Sequence, residues 1–423
     1  MFEKIFSKLK NKISREEIIV GLDIGSSAIR LVVGQKSAPE QPLKIIGAVE
    51  APAEGITRGV INSIEDAISS ISACLEKAER LVGLPLEQAW VGISGSHIIS
   101  EESQGVAIIS KPNAEIQAED VERAIEAARA VATPPNYEIL HIVPRSFMVD
   151  GQSGIKDPIG MTGIRLEATA QIIMGLSAQV KNLTKCVYRT TLDINDLVLS
   201  ILAAAEAALD SRQKNLGVVL INIGAFTTNL VVFEEGEILQ TAVLPIGSGH
   251  ITNDIAIGLR IPLDIAEQIK LDYGHALAAN FNKHDDLDLS EFSQGETGLV
   301  SKKYIAEIIA ARVEEIFAGV DRELKRVGRS GNLPAGAVLI GGGAKLPGLV
   351  ELAKKGLRLP AALGQIVKLP TVADKADDLS FASALGLVLW GEQLQRRGGK
   401  FSSFSNVGKT VGGIKYWLKN LLS

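Results

Sequence analysis

Long apolar runs, cysteines and aromatic residues are all scarce in this 423-residue chain, and each shortage excludes something. No stretch approaches the roughly 18 consecutive apolar residues that a membrane-spanning helix needs, and the N-terminus lacks the uncharged apolar core of a secretory signal. The sequence therefore predicts a soluble body with, at most, superficial membrane contact. Only two cysteines occur, Cys74 and Cys186, far apart and without metal-ligand spacing. That predicts reduced thiols in a cytosolic protein rather than a disulfide or a metal site. Positive charge is not in excess overall, because the formal net charge is −5, so nothing marks the chain as a nucleic-acid binder and any electrostatic attraction must be local.

Local charge does exist, at both ends. From Arg396 to Ser423 there are six basic residues and no acidic one, and the stretch GGKFSSFSNVGKTVGG is rich in Gly and Ser, the composition of a flexible linker. Beyond it, Ile414, Trp417, Leu418, Leu421 and Leu422 share one side of a predicted helix, with Lys415 and Lys419 flanking that side. An apolar face bordered by lysines and an interfacial Trp suits an anionic lipid surface; the blander reading is a last helix docked on its own core. The first fifteen residues carry Lys4, Lys8, Lys10, Lys12 and Arg15 against a single Glu3, with Phe2, Ile5, Phe6, Leu9 and Ile13 on the opposite side. A second membrane contact, a cap on the body and a partner helix all remain open there, with the membrane placed first.

The length allows two to four domains. Apolar strand-like runs alternate with helical patterns, the signature of α/β layers. Two segments look like an internal duplication: IIVGLDIGSSAIRLVVGQ (18–35) and GVVLINIGAFTTNLVVFEEG (217–236). Each reads as a buried strand, a tight Gly-containing turn and a second strand, which predicts two related halves. Residues 89–175 read differently and predict an inserted domain, with strands near AWVGISGS and GVAIIS, a helix over DVERAIEAARAV and a strand near EILHIVPRSFMVD. A single long helix is expected from about Lys181 to Leu209, its LAAAEAAL run permitting close helix packing.

A Gly- and Ser-tipped hairpin can aim several backbone N–H groups at one anion. In DIGSS, Asp23 is positioned to hold a hydrated Mg²⁺, which favours one or two carboxylates plus water and phosphate oxygens. Alone, the motif is equally a tight turn of any β-rich fold; its partner two hundred residues on changes that. In AVLIGGGAKLPGL, a buried strand runs into Gly341, Gly342 and Gly343, a surface against which a flat purine could lie, or simply a turn needing conformational freedom. In DIAEQIK, Glu267 and Lys270 share a helix face and could reach a ribose together, or form a surface ion pair.

In order and content these elements resemble the actin, MreB and heat-shock-chaperone ATPase superfamily. Within it the chain resembles the bacterial cell-division family FtsA over nearly its whole length, in VGISGSHIIS, in DVERAIEAARAVATPPNYEILHIVPRSFMVDGQSGIKDPIGMTG and in TNDIAIGLRIPLDIAEQIKLDYG. The resemblance implies a two-lobed actin-like α/β fold, of ribonuclease-H-like lobes, with an FtsA-type insert. Its implied domains are a first core (18–88, 170–212 and 366–395), the insert (89–169), a second core (213–249 and 303–365) and a small subdomain of the second lobe (250–302). Around them lie the basic N-terminal segment (1–17), the linker (396–412) and a membrane-targeting helix (413–423).

The resemblance also implies ATP and Mg²⁺ as cofactors, held between the halves. Asp23 would meet the metal, and Gly25, Ser26 and Ser27 the phosphates. Gly224, Ala225, Thr227 and Thr228 would form the opposing hairpin, with Gly247 and Lys345 nearby. Glu267 and Lys270 would reach the ribose, and Gly341, Gly342 and Gly343 would border the adenine. The implied role is a filament-forming adaptor on the cytoplasmic face of the membrane at the division site. It would tether the C-terminal tail of FtsZ through residues 250–299, associate with itself and recruit other division proteins to the divisome for septum assembly. The chain departs from the pattern at Asn222, where an Asp is usual, at Ala225 and Phe226 in place of a glycine-rich tip, and at Ala28, where relatives often carry Lys. Ser200 and Ile201 stand where an acidic or amide side chain is common. With one of two expected carboxylates missing, ATP binding with very slow turnover is the expectation. The alternatives are the actin-like ATPase of type IV pilus assembly and, with no second-substrate base in view, a phosphotransferase of the same superfamily.

Overall fold

The computed structural model describes residues 17–38, 41–110, 113–282, 284–292 and 298–396. The lipid-facing residues expected at both ends (Phe2, Ile5, Phe6 and Leu9; Ile414, Lys415, Trp417, Leu418, Lys419, Leu421 and Leu422) lie outside the described residues. Two compact units are present: one runs through Ile56, Val60–Ala207 and from Val367 on, the other comprises Thr57–Gly59 and Ala208–Ile366.

Each unit is built on a five-stranded sheet, and the two sheets have the same topology. In the first, Glu17–Ile24 pairs antiparallel with Ala28–Lys36, which pairs antiparallel with Lys44–Pro52; on the other side Gln88–Ile93 and then Asp193–Leu199 add in parallel. In the second, Val218–Ile223, Thr228–Glu234 and Glu237–Leu244 form the antiparallel part, and Gly336–Ile340 and Ala361–Leu363 the parallel part. The register matches as well. Asp23 faces Arg30, and Asn222 faces Asn229, each pair one step in from the turn. The duplicated sequence thus places Asn222 at the position equivalent to Asp23.

The central strands are near-continuous apolar runs because both faces are covered. In the second unit, Val219, Ile221, Leu230 and Val232 are buried together with Ile309, Val313, Phe317 and Val320 of the Lys302–Arg326 helix. Fully burying each such side chain contributes about 1.5–3 kcal/mol. In the first unit the Ala382–Arg396 helix packs on the sheet, and Gly386 sits so close to the Ser200–Ala208 helix that an added Cβ would fall 1.9 Å from the Ala203 carbonyl oxygen. The alanines read as close-packing residues therefore do pack closely.

The insert is a four-stranded sheet, Ile98–Ile108, Arg165–Leu176, Tyr137–Val149 and Gln152–Ile155 in spatial order, covered by the Ala118–Ala132 helix. Two expectations need correction. Gln88–Ile93, read as part of the insert, pairs with Gly21–Asp23 and belongs to the first core sheet, so the insert's own sheet begins at Ile98; its last strand, conversely, runs to Leu176, beyond the expected boundary at 169. The expected long helix is broken into Ser177–Tyr188, the strand Asp193–Leu199 and Ser200–Ala208. A buried parallel strand followed directly by an Ala-rich helix has no polar alternation to separate the two. Both cysteines are buried and free. Among the described residues no helix is long and apolar enough to cross a membrane.

One contact ties the insert to the core of its unit: His141 Nε2 accepts a hydrogen bond from the Leu199 N–H at 2.9 Å, and its ring lies edge-on to Trp390. Desolvation pushes the imidazole pKa down to about 4. An unfolded histidine takes up its proton near pH 6.5, so the stability this neutral ring contributes is present above that value and is lost as pH falls towards 4. Thermal melts between pH 7.5 and 4.5 should show a steeper loss for the unmodified chain than for His141→Gln; parallel curves would contradict the assignment.

Candidate functional site

In the second unit four sequence motifs converge. The turn after Ile223 closes on itself through Gly224 N–H donating to the Thr227 oxygen at 2.9 Å. Its carbonyls then receive the start of the Ser248–Leu259 helix: Ser248 N–H and hydroxyl donate to the Gly224 oxygen at 2.8 and 3.1 Å, and Gly249 N–H to the Ala225 oxygen at 2.7 Å. The Thr228 hydroxyl donates to the Ile246 oxygen at 2.8 Å. Gly247, the residue before the helix, is thereby set against the hairpin turn, and the first N–H groups of the helix carry its positive end there.

The glycine run lies against the same turn. Gly341 has φ 89° and ψ 172°, a conformation open essentially only to glycine. A Cβ there would sit 2.3 Å from Asn222 Oδ1 and 2.6 Å from the Ile223 oxygen. Gly343 abuts Ile223 and Ser248, whereas Gly342 is exposed with nothing near its Cβ direction. Lys345 follows on the same short turn, exposed.

On the Leu263–Tyr273 helix, Lys270 Nζ donates to Glu267 Oε2 at 2.6 Å, to Thr252 Oγ1 at 2.8 Å and to the Ser248 oxygen at 3.4 Å, and the Thr252 hydroxyl donates to Glu267. The pair read as a possible surface salt bridge is thus a three-residue knot fastened to the start of the neighbouring helix. Lys270 is nearly buried there, while Glu267 remains 43% exposed. Thr252 was invisible in the sequence, since it sits on a different helix and no spacing rule links it to Glu267.

In the first unit, Asp23 stands at the end of its strand before the tip residues Gly25, Ser26 and Ser27. Its Oδ1 accepts a hydrogen bond from the Ser200 hydroxyl at 2.9 Å. Gly92 lies alongside, and a Cβ on it would meet both Ser200 Oγ and Asp23 Oδ1. Burial pushes the Asp23 carboxyl above its usual value, opposed by the Ser200 hydrogen bond and by Arg30. Ser200, read only as a departure from the expected residue, is therefore the partner that orients this carboxylate. Among the described residues no three His, Cys, Asp or Glu side chains group as a metal cage. A lone oriented carboxylate fits magnesium, whose remaining ligands are characteristically water and phosphate oxygens.

A family model described as cell division protein FtsA matches residues 219–386, and one described as the SHS2 domain inserted in FtsA matches residues 95–174. The cell division protein FtsA of Pseudomonas aeruginosa is 36% identical over 90% of this chain and 91% of its own length. That of Bacillus subtilis is 40% identical over 81% and 77%, and that of Escherichia coli 28% identical over 97% and 98%. Among solved structures, a chain of a PilM-PilN type IV pilus biogenesis complex aligns with TM-score 0.64 at 20% identity, over 88% of this chain and 98% of that one. MreB5 of Spiroplasma citri bound to ADP aligns with TM-score 0.54 at 12% identity, over 90% and 98%. At such identities the structural likeness shows the fold alone, and that fold is the two-lobed actin-like one with an SHS2 insert.

Proposed function

Since this chain belongs to the FtsA family of cell-division proteins, we propose that it binds ATP with magnesium and works as a membrane-attached, self-associating adaptor that tethers FtsZ at the division site. The observation that carries the nucleotide part is the convergence, in one unit, of the hairpin turn, the positive start of the Ser248–Leu259 helix, the Gly341–Gly343 run and the Thr252–Glu267–Lys270 knot. The positive start of the helix beside the turn suits the negative charge of a phosphate, Glu267 and Lys270 offer one acceptor and one donor to ribose hydroxyls, and the side-chain-free Gly342 leaves room for a flat base. Asp23, oriented by Ser200, would hold the magnesium, which supplies charge neutralisation at the phosphates. Because Asn222 offers no charge at the position equivalent to Asp23, turnover should stay below about one per second.

The adaptor part is supported by the sequence of residues 413–423, an apolar side flanked by Lys415 and Lys419. A short helix of this kind binds lipid reversibly, and self-association lets many such anchors act together. FtsZ-tail docking is assigned to the small subdomain at residues 250–299.

Two measurements test this reading. Thr252→Val should weaken ATP affinity about tenfold in calorimetric titration, the loss expected when the Glu267–Lys270 pair is no longer fastened through Thr252 to the Ser248–Leu259 helix. Trp417→Asp should weaken co-sedimentation with anionic vesicles at least tenfold. Unchanged affinity would remove the ribose assignment, and unchanged sedimentation the adaptor one.

A further inference from the structure

The sheet of the first unit ends on the Lys44–Pro52 strand, whose outer edge is only partly covered. At Ile45 the segment 370–372 lies beside it in parallel: Ile45 N–H donates to the Pro370 oxygen at 2.8 Å, and Val372 N–H to the Ile45 oxygen at 3.1 Å. The segment then turns away, with Ala373 N–H donating to the Thr371 hydroxyl oxygen at 2.9 Å. Further along the edge, the alternation of an antiparallel pair decides which backbone groups face out. Ala53 N–H reaches inward to the Ser27 oxygen, so Val49 and Ala51 also face the neighbouring strand, while Ala48 and Glu50 face away from it. In keeping with this, the Glu50 oxygen accepts from Lys77 Nζ at 3.0 Å. The N–H groups of Ala48 and Glu50 and the Ala48 carbonyl therefore point out of the sheet, with no backbone partner among the described residues.

The same stretch, with Lys77, Arg80, Leu81 and Lys375, lines a cavity of about 420 Å³. Its charges are unbalanced, because three cations meet one carboxylate. That carboxylate, Glu50, is already engaged by Lys375 Nζ at 2.7 Å and lies 3.5 Å from Arg30 Nε. The Lys375 hydrogen bond, aided by the Arg30 charge, holds the Glu50 carboxyl below its usual range, so it stays ionised and the lining keeps a positive excess. Lys77 and Arg80 bond only to backbone oxygens, those of Glu50 and Glu76. Beside them Leu81 leaves an apolar side chain 57% exposed.

From this arrangement we infer that the open edge takes up a short, extended, acidic segment of a partner protein, which adds as a strand at Ala48 and Glu50 and sets its carboxylates among Lys77, Arg80 and Lys375. The outward backbone groups supply main-chain hydrogen bonds, and the cations select the sequence. Alternation suits the lining: successive side chains of an added strand point to opposite faces, so acidic residues can meet the cations while apolar ones pack against Val49 and Leu81. A basic segment would meet like charge. None of these residues belongs to the nucleotide or membrane assignments above.

The test is fluorescence anisotropy of a labelled, acetylated peptide of alternating leucine and glutamate, titrated with the full chain. Binding should saturate, and should weaken about tenfold or more when lysine replaces glutamate in the peptide, when the peptide amides are N-methylated, and in Lys77→Glu with Arg80→Glu, whose melting should match the unmodified chain. Ala48→Pro removes one outward N–H at an edge, where proline is tolerated, and should weaken the peptide similarly; if that variant fails to fold, the N-methylated peptide carries the same comparison. Absence of binding, or binding that survives the double charge reversal, overturns the site. If the N-methylated peptide binds as well as its parent, or inorganic phosphate displaces the peptide with equal affinity, the cavity captures charge alone and strand addition is overturned. If the charge reversal instead abolishes self-association in sedimentation velocity without peptide, a second copy of this chain occupies the edge and the partner segment is overturned.

Discussion

Gly341→Ala is expected to abolish measurable ATP binding and to lower the stability of the chain by about 3 kcal/mol or more. Two effects add at this one methyl group. The backbone at φ 89° and ψ 172° is closed to residues bearing a Cβ, and that Cβ would fall 2.3 Å from Asn222 Oδ1 and 2.6 Å from the Ile223 carbonyl oxygen. The carbonyl cannot yield cheaply, because it belongs to the last residue of a strand that is hydrogen-bonded on both sides. Relaxation must pull the Gly336–Ile340 strand end and the hairpin apart, and those are the elements assigned to the adenine and the phosphates. Gly342→Ala is the internal comparison. Nothing lies near its Cβ direction, so its melting should stay within about 0.5 kcal/mol of the unmodified chain, and any loss of affinity there reflects contact with the nucleotide alone. Equal melting curves for the two variants would refute this account of the turn.

Asp23→Asn should remove most of the magnesium dependence of ATP affinity, by tenfold or more, while leaving the fold intact or slightly firmer. Asparagine preserves the acceptor for the Ser200 hydroxyl but carries no charge for the metal. The sign of the stability effect follows from the raised carboxyl pKa. A native state that holds this proton more tightly than the unfolded chain is stabilised as pH falls through the window above the ordinary carboxylate range, and it bears the desolvation cost of the charge at neutral pH. The amide removes that cost, so the variant's melting temperature should equal or exceed the parent's at pH 7.5. By the same shift, magnesium-linked affinity of the unmodified chain should decline on acidification earlier than an exposed Asp would require. Titrations with and without magnesium at pH 7.5 and 5.5 check both statements; magnesium dependence surviving Asp23→Asn would move the metal elsewhere.

These expectations draw unequally on sequence and structure. The two hairpins, the glycine run and the Glu267–Lys270 pair were legible because each is local: a strand, a turn and a helix face are decided by neighbours within a few residues. Thr252 and Ser200 were not legible in their roles. Thr252 meets Glu267 from another helix, and Ser200 meets Asp23 across 177 positions of sequence. No periodicity records such a meeting.

The composition and patterning of the chain, by themselves, determined α/β layering, an internally repeated core, an insert of different character and basic amphipathic ends, because amphipathic period, turn chemistry and charge are written residue by residue. Tertiary structure alone decided that Gln88–Ile93 belongs to the core sheet and that Asp193–Leu199 is a strand rather than part of a helix. Those outcomes depend on which strand lies beside which, and strand pairing is settled by non-local burial and backbone hydrogen bonding that no single segment encodes.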